Sequence, residues 1–68
     1  MVDKNNVVGT RLKELRGNRT LEEVASELGI SPSALSNYEN GIRTPRDQIK
    51  TRIAKYYKKS LEALFFTL

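Results

Sequence analysis

Sixty-eight residues with a formal net charge of +4 allow one small domain with a modest core. The chain has no cysteine and no histidine, which removes disulfides, thiolate zinc sites, a cysteine nucleophile and the commonest general base. No apolar run approaches the roughly 20 residues that span a bilayer, and the N-terminus lacks the core of a signal peptide.

Taken in order, Met1 to Asn5 is polar and reads as a frayed end. Val8, Leu12 and Leu15 repeat at i, i+4 and i+7 and predict a first helix from about Asn6 to Arg16. Gly17 and Asn18 stop it, and the short loop to Arg19 makes the next helix a close neighbour. Thr20 is an N-cap with Glu23 in the capping-box position. Leu21, Val24, Ala25 and Leu28 then form one apolar stripe, Gly29 ends it, and Ile30 can plug back into the core.

A second start signal follows at once. Ser31 caps and Pro32 suits the first helical position, where no N–H is needed. Ala34, Leu35 and Tyr38 look inward, whereas Ser33, Ser36, Asn37 and Asn40 do not fit a core. Gly41 stops this helix. Thr44 and Pro45 open a fourth, with Asp47 in its first turn, and Ile49, Ile53, Ala54 and Tyr57 carry it to about Lys58. Ser60 caps a last short helix with Leu61, Leu64 and Phe65. The tail is rich in apolar surface: Phe65, Phe66 and Leu68 fold back onto the core or form a dimer interface, or share the two roles with Phe65 inside and Phe66 or Leu68 outward. The expected fold is all-α, five helices in a single domain over residues 1–68.

Two helices joined by a glycine turn, the second with a polar outer face, are the helix-turn-helix signature, here at residues 20–41. The sequence resembles the Cro/CI-type helix-turn-helix family, the lambda-repressor-like fold of phage repressors and many small bacterial regulators. The resemblance rests on RLKELR at 11–16, the run from Thr20 to Ala25, GIS at 29–31, YENG at 38–41 with Arg43 and Pro45, and IAKYY at 53–57. It covers nearly the whole chain. The loop at 17–19 is about two residues shorter than the usual family pattern, so the first helix is expected to end a turn early or to tilt.

The resemblance implies a sequence-specific double-stranded DNA-binding regulator, a repressor whose second motif helix, 32–40, enters the major groove. It assigns base-facing positions to Pro32, Ser33, Ser36 and Asn37. Asn37 is the strongest reader, because its amide can bond bidentately to adenine, while the serines discriminate weakly and Pro32 offers only apolar contact. Phosphate contacts fall to Asn40 and Arg43, with Arg46 and Lys50 added from the next helix. Arg19 and Thr20 lie beside the free N–H groups of the second helix. Leu21 stands where the family often has glutamine, so that side-chain contact is lost. An Arg16–Glu39 pair is implied as a structural clamp between the first helix and the reading helix. Family members usually bind near-palindromic operators as homodimers, which here would use the last helix and tail. No cofactor or metal is expected, and the location implied is cytoplasmic, in a bacterium or from a phage.

The charge distribution agrees with a polyanion partner. Seven basic residues and one acidic one lie between Gly41 and Lys59, against four glutamates and no basic residue from Thr20 to Asn40. The same residues, Lys55, Lys58 and Lys59 above all, would equally serve to solvate a surface helix. The alternative function is that of an antitoxin or other protein-interaction module of the same fold, for which the Phe65–Leu68 tail is the only candidate surface. Catalysis is set aside: no glycine-rich phosphate loop exists, and Glu22 and Glu23 cannot converge on one side of their helix.

Overall fold

The structure, a computed structural model, describes residues 4–66. Among them lie four α-helices, α1 (Lys4–Arg16), α2 (Leu21–Leu28), α3 (Pro32–Glu39) and α4 (Asp47–Tyr57), and a π-helical turn, α5 (Glu62–Phe66). They enclose one core of Val8, Leu12, Val24, Ala25, Leu28, Leu35, Ile53, Ala54, Leu64 and Phe65. These are the stripe residues of each predicted helix, so the 3.6-residue period translated directly into burial. Full burial of a leucine, isoleucine or phenylalanine stabilises by about 1.5–3 kcal/mol, and every element supplies part of this core.

The start and stop signals act as read for the central pair. Thr20 Oγ1 accepts from the Glu23 N–H at 3.0 Å, and Ser31 Oγ accepts from the Ala34 N–H at 3.0 Å. Gly29 takes φ 74° after α2, which lets Ile30 N–H return to Ala25 O at 3.0 Å. After α3, Asn40 is the C-cap and Gly41 takes φ 74°, so Ile42 N–H closes on Asn37 O at 2.9 Å.

Four local features differ from one expectation or another. α1 begins at Lys4 rather than near Asn6, because polar residues extend the helix without altering its apolar stripe. The short loop does not cost α1 its last turn: Gly17 adopts φ 62° and the Arg19 N–H bonds to Arg16 O at 3.3 Å. Thr44 and Pro45 do not open α4, which starts at Asp47 with Arg46 as N-cap. Pro45 is instead buried and lines a cavity with Val8 and Phe65. Finally, α5 is a π-helical turn, begun by Ser60 Oγ accepting from the Ala63 N–H at 3.1 Å and tied to α1 by Arg11 Nη1, which donates to Ala63 O at 2.9 Å.

The tail divides. Phe65 is 2% exposed and belongs to the core, which withdraws it as a dimer-interface candidate, whereas Phe66 is 54% exposed. Leu68 lies outside the described residues.

α1 and α3 pack together more extensively than any other pair. The closest point is Gly9, where a built Cβ would stand 2.3 Å from Glu39 O and 2.9 Å from Tyr38 O. Alanine favours a helix by about 1 kcal/mol over glycine, yet a backbone carbonyl cannot step aside as a side-chain tip can. Overpacking therefore wins, and Gly9→Ala is expected to lower the unfolding free energy by about 1–3 kcal/mol in urea titrations; a gain in stability would contradict this packing.

Two tyrosines close α4 against α1 and α2. The Tyr56 hydroxyl donates to Glu27, and this bond, with some burial, raises its pKa. Burial raises that of Tyr57, whose hydroxyl has no hydrogen-bond partner among the described residues. A phenol whose folded pKa lies above its unfolded value of about 10 contributes stability that is present below pH 10 and lost above it. Stability should hold through neutral pH and fall as pH rises past about 10. Tyr57→Phe should remove part of that alkaline loss and leave neutral-pH stability unchanged or up to about 1 kcal/mol higher, because it deletes an unsatisfied buried group. Paired denaturation curves at neutral and alkaline pH decide it.

Candidate nucleic-acid interface

The interface is built from α3 outward. Its inner side is anchored by Leu35, fully buried, and by Glu39, whose side chain is 2% exposed. Arg16 meets that carboxylate with both arms of its guanidinium, Nε to Oε2 at 2.8 Å and Nη2 to Oε1 at 3.1 Å. The third nitrogen donates to Arg19 O at 2.7 Å. Hydrogen bonding to Glu39 raises the Arg16 pKa further, so the pair is permanently ionised on the arginine side.

With that side fixed, the opposite side of α3 is free. Pro32 and Ser33 are exposed, and Ser36 and Asn37 are half-buried. Neither the Ser33 hydroxyl nor the Asn37 amide has a protein partner among the described residues. Ser36 is different: its hydroxyl accepts from Asn40 Nδ2 at 3.2 Å, and Asn40 Oδ1 accepts from Lys13 Nζ at 3.3 Å. Asn40 is thus held by α1 at the end of the reading helix, and Lys13 adds a cation there.

The expected phosphate residues separate into two groups. Arg43 and Arg46 are exposed on the loop after α3 and at the start of α4. Thr20 Oγ1 is used to cap α2, which leaves the Leu21 and Glu22 N–H groups as the outward donors of that turn. Lys50 Nζ sits over the rings of Phe65 and Phe66, 5.6 and 5.3 Å from their centroids. Arg19 is committed to the fold. Its guanidinium donates to Tyr56 Oη at 2.8 Å, Leu15 O at 3.2 Å and Arg16 O at 3.3 Å, and lies 5.3 Å from the Tyr56 ring centroid. The short 17–19 loop draws it across α1 and α4, so a phosphate contact from Arg19 would require it to give up these bonds. Within the basic block, Arg52 is likewise committed to structure, capping α2 through Leu28 O at 2.9 Å.

A family model described as helix-turn-helix matches residues 12–64. The chain belongs to the helix-turn-helix family. It is a Cro/CI-type, DNA-binding helix-turn-helix regulator, and the matched stretch runs from Leu12 in α1 to Leu64 in α5. Searches of the curated proteins and of the solved structures give no match. Among the described residues no acidic or histidine cluster could hold a metal ion, and no helix is long and apolar enough to cross a membrane.

Three residues of this helix-turn-helix surface had no signal in the sequence. Lys13 lies off the α1 stripe and gains meaning only from the α1–α3 crossing. Ile42 is 68% exposed, yet nothing in its neighbours distinguishes it from a core residue. Gly9 reads as a weak helix position until α3 is laid against it.

Removing Arg16 strands a buried carboxylate. Arg16→Met should cost about 3 kcal/mol of stability, and adding Glu39→Leu to it should recover most of that loss. Urea titrations of both variants test the pair; an Arg16→Met protein as stable as the parent would show that the clamp carries no charge worth pairing.

Proposed function

We propose that the domain is a transcriptional repressor that places α3 in the major groove of a near-palindromic operator, as a homodimer. The observation that carries this is the two-sidedness of α3: one side is clamped by Arg16 and packed by Leu35, and the other presents Ser33 and Asn37 with unbonded polar groups. Groups of that kind suit the donor and acceptor pattern of base edges. Asn37 is the principal reader, through adenine. Ser33 and Ser36 add weak contacts, and Pro32 adds an apolar one to a thymine methyl group.

Arg43, Arg46 and Asn40 grip phosphates on either side of the reading helix, with Lys13 beside Asn40 and the first N–H groups of α2 on the far strand. Lys50 joins them only by leaving its position over Phe65 and Phe66. Repression is the simplest outcome, since a protein lying in the groove excludes others by occupancy. The homodimer reading rests on the exposed Phe66, and one domain of this size covers a single half-site. The same ring supports the antitoxin alternative, in which a different chain would cover it. The site of action is the cytoplasm, where bacterial DNA lies.

Selection of bound duplexes from a random pool tests the proposal; enriched sites with two-fold symmetry support a dimeric reader, and recovery of no sequence above background overturns it. Asn37→Ala should cost about 1–3 kcal/mol of specific binding and relax preference at one or two base pairs. Unchanged preference across an operator library would remove Asn37 as a reader. Arg43→Ala should instead weaken all duplexes alike and reduce the slope of log affinity against log salt by about one. A parallel salt dependence would take Arg43 out of the phosphate set.

A further inference from the structure

We infer that the cavity between α1, the loop after α3, and α4 and α5 binds a small carboxylate with an apolar body, and that this ligand weakens DNA binding by engaging Arg43. The cavity has a volume of about 210 Å³. Val8, Pro45 and Phe65 give it apolar walls, all three buried, and Tyr38 adds an aromatic face. Two cations, Arg43 and Lys50, reach the same space. Lys50 lies over the rings of Phe65 and Phe66, and Arg43 is exposed on the loop.

The chemistry of the walls selects the ligand. A strongly hydrated dianion such as phosphate would waste the apolar surface, and a neutral hydrocarbon would waste the cations. An amphipathic monoanion uses both, its carboxylate between Arg43 and Lys50 and its body on Phe65 and Tyr38. Size agrees, since an apolar cavity of roughly 150 Å³ accommodates benzene. Arg43 is the link to function, because the same guanidinium is proposed to hold an operator phosphate. Two ligands that draw on one group oppose each other, and the coupling is reciprocal. The consequence rests on the DNA-binding proposal; the site itself does not.

Sodium benzoate is the probe, compared at constant ionic strength with benzamide and with sodium phosphate. On the free protein, benzoate should shift the NMR signals of Val8, Tyr38, Phe65 and the Arg43 side chain saturably, while benzamide and phosphate should not. Lys50→Gln, shown folded by its own spectrum, should weaken benzoate binding roughly tenfold, the effect of one lost charge-assisted contact. On the selected operator, benzoate at ten times its dissociation constant should weaken the protein's binding by up to roughly tenfold relative to benzamide. Absence of saturable shifts, or equal shifts from benzamide or phosphate, overturns the site. Saturable benzoate shifts with unchanged operator affinity overturn the coupling. Because the first arm contains no DNA, failure of the site and failure of the DNA-binding reading give different results.

Discussion

Glu39 is held by α1 in two ways at once. Its backbone carbonyl lies where only a glycine at position 9 lets α1 approach, and its carboxylate is gripped by Arg16 further along the same helix. The first contact sets how near the reading helix comes, and the second sets its roll about its own axis. A carboxylate that is 2% exposed cannot tolerate an imprecise partner, because any gap leaves a charge without water or counter-ion. The pair therefore contributes geometric definition more than net stability. From that definition follows which residues of α3 face outward.

The distribution of cations follows the same logic. The lysines and arginines of the chain read together as one electrostatic surface, but the fold divides them. Arg11 ties α1 to α5, Arg19 crosses from α1 to the α4 tyrosines, and Arg52 caps α2. Each meets carbonyl oxygens or a ring at a helix end, where a cation is worth most. Arg43 and Arg46 remain exposed, and the Arg43 backbone N–H donates to Asn37 O at 3.3 Å at the end of the reading helix. Net charge thus describes attraction to a polyanion in general, while the side chains the fold leaves exposed decide where on the domain it can act.

Much of this was legible beforehand, and for identifiable reasons. Leu21, Val24, Ala25 and Leu28 announce their helix by period, and Thr20, Ser31, Gly29 and Gly41 mark ends because capping chemistry is local in sequence. Pro45 was misplaced because a proline suits both a helix start and an apolar wall, and only burial separates the two. Lys13, Gly9 and Arg19 depend on helix crossings, whose geometry no single stretch encodes. The π-helical form of α5 was equally hidden, since Leu61, Leu64 and Phe65 suit an ordinary helix equally well. For Asn37, sequence pattern and family resemblance nominated the residue, and the structure adds that its amide has no protein partner among the described residues.

If α3 reads DNA, its unclamped side is the surface that meets the duplex. Amide and side-chain NMR shifts of the protein, followed while a short duplex is added in dilute buffer, test it most directly. Perturbations should concentrate at Ser33, Ser36, Asn37, Asn40 and Arg43 and fade as salt is raised. Unmoved spectra at low salt would contradict it, as would shifts centred on Arg11 and Ala63 across the domain.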